Sequence, residues 1–178
     1  MRLGIYGGTF DPVHYGHLLL AECCREQCRL DEVWFLPASV PPHKRSAPLT
    51  DASRRVEMLR LAIGDQPSFR VSTFEIERGG VSYTVETLAA LRQERPDDEL
   101  FFLLGADALA DLATWREPAR IASLATLVSV RRAGIAPLDL ASLAVVLGVE
   151  AAERVAAHQV VMPTIELSSV STSPKTTE

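Results

Sequence analysis

The densest cluster of residues able to do chemistry is GGTFDPVHYGH, from Gly7 to His17. It stands between a short apolar run, RLGIY, and the helical-looking HLLLAECCREQC. Gly7 and Gly8 let backbone approach a ligand closely and permit positive φ where a side chain would clash. A helix beginning near Tyr15 or Gly16 points its free N–H groups and positive dipole end at the same spot, which makes an anion site. His14 and His17 are three residues apart across that start. Both imidazoles can converge on one anion, donate hydrogen bonds to phosphate oxygens and, when protonated, offset developing charge. The plainer alternative is an ordinary loop histidine beside a helix-start histidine. A metal pair lacks a third ligand at suitable spacing. The glycine spacing is not GxGxxG, so the dehydrogenase fingerprint is absent. Asp11 before Pro12 reads as a turn former.

The elements that must position this cluster follow from the apolar pattern. RLGIY reads as a buried strand, HLLLAECCREQC as a helix and EVWFLPAS as a second strand, stopped by the proline- and cation-rich VPPHKRSAP. Thr50 or Asp51 can cap ASRRVEMLRLAIG, whose Val56, Leu59, Ala62 and Ile63 share a face and whose Gly64 closes it. FRVSTFEI reads as a third strand, GGVSY as a turn, and Thr84 as the cap of VETLAALRQE, which stops at Pro96. ELFFLLGAD and TLVSVRR are further strands with the helical REPARIASLA between them. PLDLASLAVVL and EAAERVAAH read as helices and QVVMP as a short strand. Strands alternating with helices predict an α/β fold, a Rossmann-like, doubly wound parallel sheet flanked by helices. Such a sheet binds ligands beyond the carboxyl ends of its strands, so GGTFDPVHYGH, PPHK and GADALADLATW should share one rim.

Composition narrows the class of function. A chain of 178 residues fits one domain, expected over 1–165, with SSVSTSPKTTE predicting a disordered tail over 166–178. With 47% hydrophobic and 23% charged residues, a sizeable core is expected. A net charge of −5 speaks against a general nucleic-acid or membrane-surface binder. No segment approaches the roughly 18 continuous apolar residues of a membrane span, and no leader pattern is read at the N-terminus, so a cytoplasmic protein is expected. Cys23, Cys24 and Cys28 share one helix without CxxC spacing or a fourth ligand and read as packing thiols. Glu75, Glu77 and Glu86 read as surface charges.

GGTFDPVHYGH resembles the signature of the (T/H)xGH nucleotidyltransferases, which transfer a nucleoside monophosphate from a triphosphate to a phosphorylated acceptor and release pyrophosphate. Three further stretches, PASVPPHKRSAP, GGVSYTVETLAALR and LLGADALADLATWREP, resemble in order and register the nicotinate-nucleotide adenylyltransferases, so the likeness runs from Met1 to about Arg131. The resemblance implies adenylyl transfer from ATP to nicotinate mononucleotide, giving nicotinate adenine dinucleotide and pyrophosphate in NAD biosynthesis. It implies that Thr9, Phe10, His14 and His17 line the ATP phosphate site beside Gly7 and Gly8, and that Lys44 reaches phosphate from its loop. It places Thr84 at the pyridine carboxylate, Trp115 on the pyridine ring, and Gly105 and Asp107 at the nucleotide ribose. Mg²⁺ would enter with ATP, held by phosphate and water rather than by a protein cage. Read without the resemblance, Lys44 is equally a solvated loop charge, Trp115 a core residue and Asp107 a helix cap. Nicotinamide mononucleotide or another phosphorylated acceptor, or a domain that binds nucleotide without turnover, stays open. The partners expected are therefore ATP and the mononucleotide, with neither nucleic acid nor membrane; a homo-oligomer is allowed.

The pattern breaks near the C-terminus. Where the family carries ISSTxIR, this chain has LSSVSTSP. Ser168 and Ser169 match the family's triphosphate-binding serines, but Ser173 stands where its arginine would be, and the family's following helices have no counterpart before Glu178. Losing a guanidinium with bidentate reach to phosphate should weaken ATP binding. Grafting a family-like IR and tail onto this chain should lower its Michaelis constant for ATP; an unchanged constant in steady-state assays overturns that expectation.

Overall fold

The computed structural model of the chain describes residues 1–42, 48–132 and 139–163, with Arg132 as backbone alone. Lys44, Ser168, Ser169, Ser173 and the expected tail lie outside the described residues. The strands are β1 (Arg2–Gly8), β2 (Glu32–Pro37), β3 (Phe69–Val71), β4 (Glu99–Gly105), β5 (Thr126–Arg132) and β6 (Gln159–Met162). They form one sheet in the order β3-β2-β1-β4-β5-β6, every neighbouring pair parallel. This is the order of the dinucleotide-binding α/β folds, with the reversal of direction between β1 and β4.

The helices are α1 (Tyr15–Gln27), α2 (Ala52–Ile63), α3 (Phe74–Arg78), α4 (Thr84–Glu94), α5 (Ala106–Ala110), α6 (Pro118–Leu124), α7 (Leu140–Leu147) and α8 (Val149–Ala157). They cover both faces of the sheet. One core joins Leu3, Ile5 and Phe102 of the strands to Leu88 of α4, Ile121 of α6 and Val155 of α8. The other joins Tyr6, Phe35, Phe101 and Val128 to Ala21 and Cys24 of α1 and Leu59 of α2. Strands buried on both faces read as continuous apolar runs rather than alternations, which is why RLGIY and ELFFLLG carried so clear a signal. The thiols pack as expected: Cys24 and Cys28 are buried and Cys23 is half-buried.

α2 is capped by Asp51, whose carboxylate accepts from Ser53 N–H at 2.8 Å, while Val56 and Leu59 turn inward and Ala62 and Ile63 stay half-buried. Two expectations are corrected. FRVSTFEI is not one strand: β3 pairs with β2 only over Val33–Phe35, and the chain then winds into α3. Thr84 does not cap α4. Tyr83 holds the extended cap position and Thr84 is the first helical residue.

Phe35 ties the second core to the carboxyl rim, fully buried with its ring 5.3–5.8 Å from those of Tyr6, Phe10 and Phe69. Phe35→Ala should cost about 3–5 kcal/mol by losing burial and leaving a cavity, and lower the thermal midpoint by roughly 2–4 °C per kcal/mol. A melt displaced by less than about 3 °C would mean that this aromatic cluster does not carry the rim.

Candidate active site

The site is built where two neighbouring strands part. β1 pairs with β2 as far as Gly8 and Pro37, but with β4 only as far as Ile5 and Phe102. Beyond that point Tyr6–Gly8 and Leu103–Gly105 line opposite parts of a cavity of about 620 Å³. A Cβ at Gly105 would meet no atom within 4 Å, so that backbone faces open space a ligand can enter.

The β1 side of the cavity carries the signature residues. Neither Gly7 nor Gly8 has the positive φ expected of it; that conformation falls on Phe10, at φ 49°. The reason for Gly8 is proximity. A Cβ there would lie 3.0 Å from the ring of Phe10, which is buried and packs edge-on against Tyr6. Phe10 in turn supports His17, ring centroids 5.1 Å apart, and His17 stacks on His14 at 3.8 Å. Gly16 leaves room for that stack, since a Cβ there would sit 3.1 Å from the His14 ring.

α1 starts at Tyr15 as its sequence predicts, and the two histidines fix its first turn. The His14 N–H donates to His17 Nδ1 at 3.2 Å, and the His17 N–H to the His14 carbonyl at 2.9 Å. Accepting at Nδ1 leaves Nε2 as the donor nitrogen of a neutral His17 ring. His17 lines the cavity; His14 is exposed and reaches the site through the stack. Burial, with the facing His14 second, pushes the His17 pKa down to about 4. His17 is therefore a neutral N–H donor at pH 7, not the cation that its spacing alone allowed.

The opposite end of the cavity is made by two loops locked together. Val40 and Val81 form a parallel bridge, Ser39 N–H donates to the Ser82 hydroxyl at 2.9 Å, and Ser82 N–H donates to the Val40 carbonyl at 2.9 Å. The PASVPP and GGVSYT stretches are thus one unit in space. Thr84, half-buried in the cavity wall, opens α4 with the free N–H groups of a helix start. Trp115 follows a single 3₁₀ turn, Asp111–Thr114; its ring meets Phe102 edge-on at 6.1 Å and lines the cavity too. It is at once packed and available. Asp107 lines the β4 side, exposed in the first turn of α5, whose cap is Gly105 and not Asp107.

The structure thus brings Gly7, Gly8, Thr9, Phe10, His17, Thr84, Gly105, Asp107 and Trp115 around one cavity, with His14 behind His17. Three residues of this region escaped the sequence reading. Glu75 is buried at 6% exposure, not a surface charge; α3 turns it inward, where it lines the cavity and accepts from the Thr87 hydroxyl at 2.7 Å. Arg116 lines the cavity beside Trp115, its guanidinium 4.9 Å from the centre of the Tyr83 ring and 2.7 Å from a Glu86 oxygen. Arg55, 1% exposed, holds the carbonyls of Thr9, Ala38 and Thr50. A polar residue on the inner face of a helix was the one signal available for Arg55.

Comparison with known proteins agrees with this geometry. Residues 5–174 match the cytidylyltransferase-like family model. The nicotinate-nucleotide adenylyltransferase of Bacillus subtilis is 47% identical over 133 residues, covering 75% of this chain and 70% of that protein. The chain belongs to the nicotinate-nucleotide adenylyltransferase family. A Thermus thermophilus relative named "Probable nicotinate-nucleotide adenylyltransferase" is 50% identical over 146 residues, 82% of this chain and 77% of its own. The chain spans somewhat less than two thirds of some relatives, 63% of the Thermomicrobium roseum protein and 66% of a Geobacter one. The fold also matches the Plasmodium falciparum nicotinic acid mononucleotide adenylyltransferase complexed with NaAD, with a TM-score of 0.72 at 18% identity over 94% of this chain and 77% of that one.

The depressed His17 pKa has a consequence for stability. The unfolded chain binds this proton near pH 6.5, the folded chain only near pH 4. Between these values the unfolded state holds more protons, so stability should fall as pH drops from about 6.5 to about 4. Glu32, Asp51, Asp98 and Asp139 are held below their usual values by hydrogen bonds and add their losses further into acid. In His17→Asn the thermal midpoint should change less between pH 6.5 and 4.5 than in the wild type; equal slopes would show that His17 titrates normally.

Proposed function

We propose that the chain transfers the adenylyl group of ATP to nicotinate mononucleotide, giving nicotinate adenine dinucleotide and pyrophosphate, and acts as one nucleotidyltransferase unit over 1–165. The observation that carries this is the convergence, on one cavity at the sheet's switch point, of the HxGH helix start with the Thr84–Trp115 end. Family membership supports it. Thr9, Phe10, His14 and His17 would receive the triphosphate, with Gly7 and Gly8 in the strand end beside it, and Gly105 and Asp107 would take the ATP ribose. Lys44, Ser168 and Ser169 would add phosphate contacts. The N–H at the start of α4 would meet the pyridine carboxylate, and Trp115 would stack on the ring.

The acceptor phosphate is already mostly ionised at neutral pH, with a second pKa of ~6, so no general base is required. Catalysis is then positioning of acceptor and α-phosphate in line, with donors aimed at the charge that develops. Neutral His17 supplies an N–H donor at that charge, and His14 keeps its ring oriented. Among the described residues no group of three or more His, Cys, Asp or Glu side chains could hold a metal ion. Mg²⁺ would travel with ATP as part of the substrate, ligated mainly by phosphate and water. Arg116 lines the wall beside Trp115 but is already paired with Glu86 at 2.7 Å, so the preference for an acidic acceptor over its amide would fall to the helix-start N–H groups of α4. Among the described residues no helix is long and apolar enough to cross a membrane, and the proposed working place is the cytoplasm.

The test is pyrophosphate release from Mg²⁺-ATP with nicotinate mononucleotide, nicotinamide mononucleotide and phosphopantetheine offered separately. Turnover should favour the nicotinate acceptor. Trp115→Ala should raise the Michaelis constant for that acceptor by roughly tenfold, the scale of a lost aromatic stack, and leave that for ATP nearly unchanged. Silence with all three acceptors, in a folded chain that binds ATP, would leave a nucleotide-binding domain without turnover.

A further inference from the structure

Arg55 belongs to none of the signature stretches, yet it is the most enclosed charged side chain described, 1% exposed within α2. Its Nε donates to the Thr50 carbonyl at 3.0 Å, one terminal nitrogen to the Thr9 carbonyl at 2.9 Å and the other to the Ala38 carbonyl at 2.8 Å. These acceptors lie in three different segments: the loop after β1, the loop after β2 and the entry to α2. Thr9 and Ala38 also line the cavity. A further bond closes the same junction, from Thr50 N–H to the Asp11 carboxylate at 2.9 Å.

The guanidinium makes no ion pair among the described residues. Three carbonyls satisfy its donors but carry no net negative charge. A buried cation in that state is unfavourable unless an opposite charge is brought near. The Asp11 carboxylate, which accepts from the Thr50 N–H of this junction, brings one near. We propose that Arg55 is the positioning residue of the donor-phosphate site: through their carbonyls it sets the Thr9 and Ala38 backbones in the geometry that receives the polyphosphate. The inference rests on the ATP site of the function proposed above. It assigns to Arg55 no contact with the reacting atoms.

Arg55→Lys keeps the charge but cannot span three carbonyls. The full chain and this variant are to be compared by pyrophosphate release, with ATP and nicotinate mononucleotide varied in turn. The Michaelis constant for ATP should rise about tenfold or more, as expected for losing charge-assisted bonds, while that for the acceptor changes by less than about twofold. A residue that only holds the fold together would lower the melting temperature and shift both constants alike, or neither; either result overturns the proposal. Should the variant fail to fold, the wild type decides. Its Arg55 Nε–H resonance, ¹⁵N-labelled, should shift in a saturable way with inorganic tripolyphosphate and stay still with nicotinate mononucleotide. A resonance unmoved at saturating tripolyphosphate overturns the inference. Absence of turnover in the wild type, with the resonance still responding, counts against adenylyl transfer and leaves the role of Arg55 standing.

Discussion

Everything functional here depends on the parting of β1 from β4 beyond Ile5 and Phe102. A continuous parallel ladder would fill the carboxyl edge with paired backbone. Helices sent to opposite faces of the sheet after β1 and β4 leave the crevice open between them. The chain uses this constraint economically. One side of the crevice is a strand end and helix start with little side-chain bulk, Gly7, Gly8 and Gly16; the opposite end is the paired Val40–Val81 loops and the Trp115 turn.

The crevice would not hold its shape without the aromatic support beneath it. Tyr6, Phe10, Phe35 and Phe69 form a run of ring contacts from the sheet core to the rim. Phe10 ends that run with positive φ, a conformation that costs of order 1–3 kcal/mol for a non-glycine residue. Its enclosed ring stabilises by a comparable amount, about 1.5–3 kcal/mol. The strained residue is the one that places its ring against His17. Strain at the rim and packing in the core are therefore one feature, and the histidine geometry is its product.

The legible part of this site was the part encoded locally. GGTFDPVHYGH, SYT and the GAD–Trp segment each carry their chemistry within a few residues, and parallel topology brings such segments to one edge whatever joins them. Apolar runs buried on both faces made β1 and β4 plain. What stayed hidden depends on distant partners. Arg55 earns its place by a bond to Thr9, 46 positions away, and no periodicity reports that. Glu75 reads as a surface charge by its residue type, with FRVSTFEI taken as one strand. The sheet supports only three residues of it, and the helix that follows turns the carboxylate inward toward Thr87. The positive φ moved from glycine to Phe10 for a similar reason: local chemistry favours Gly8, but the Phe10 ring needs the room that Gly8 leaves.

The charge balance around the cavity follows from burial rather than from surface composition. The depressed His17 and the enclosed Arg55 stand on opposite sides of one electrostatic bargain. Low polarity makes His17 shed its proton, which removes a charge its surroundings could not stabilise. Arg55 meets the same low polarity with three backbone carbonyls that take its donors. The cavity wall carries Glu75, Asp107 and Arg116, so charges of both signs face any ligand that enters. A polyanion bound beside His17 would raise the proton affinity of its ring by setting negative charge next to it. Imidazole chemistry is in this way coupled to occupancy rather than to the pH of the medium.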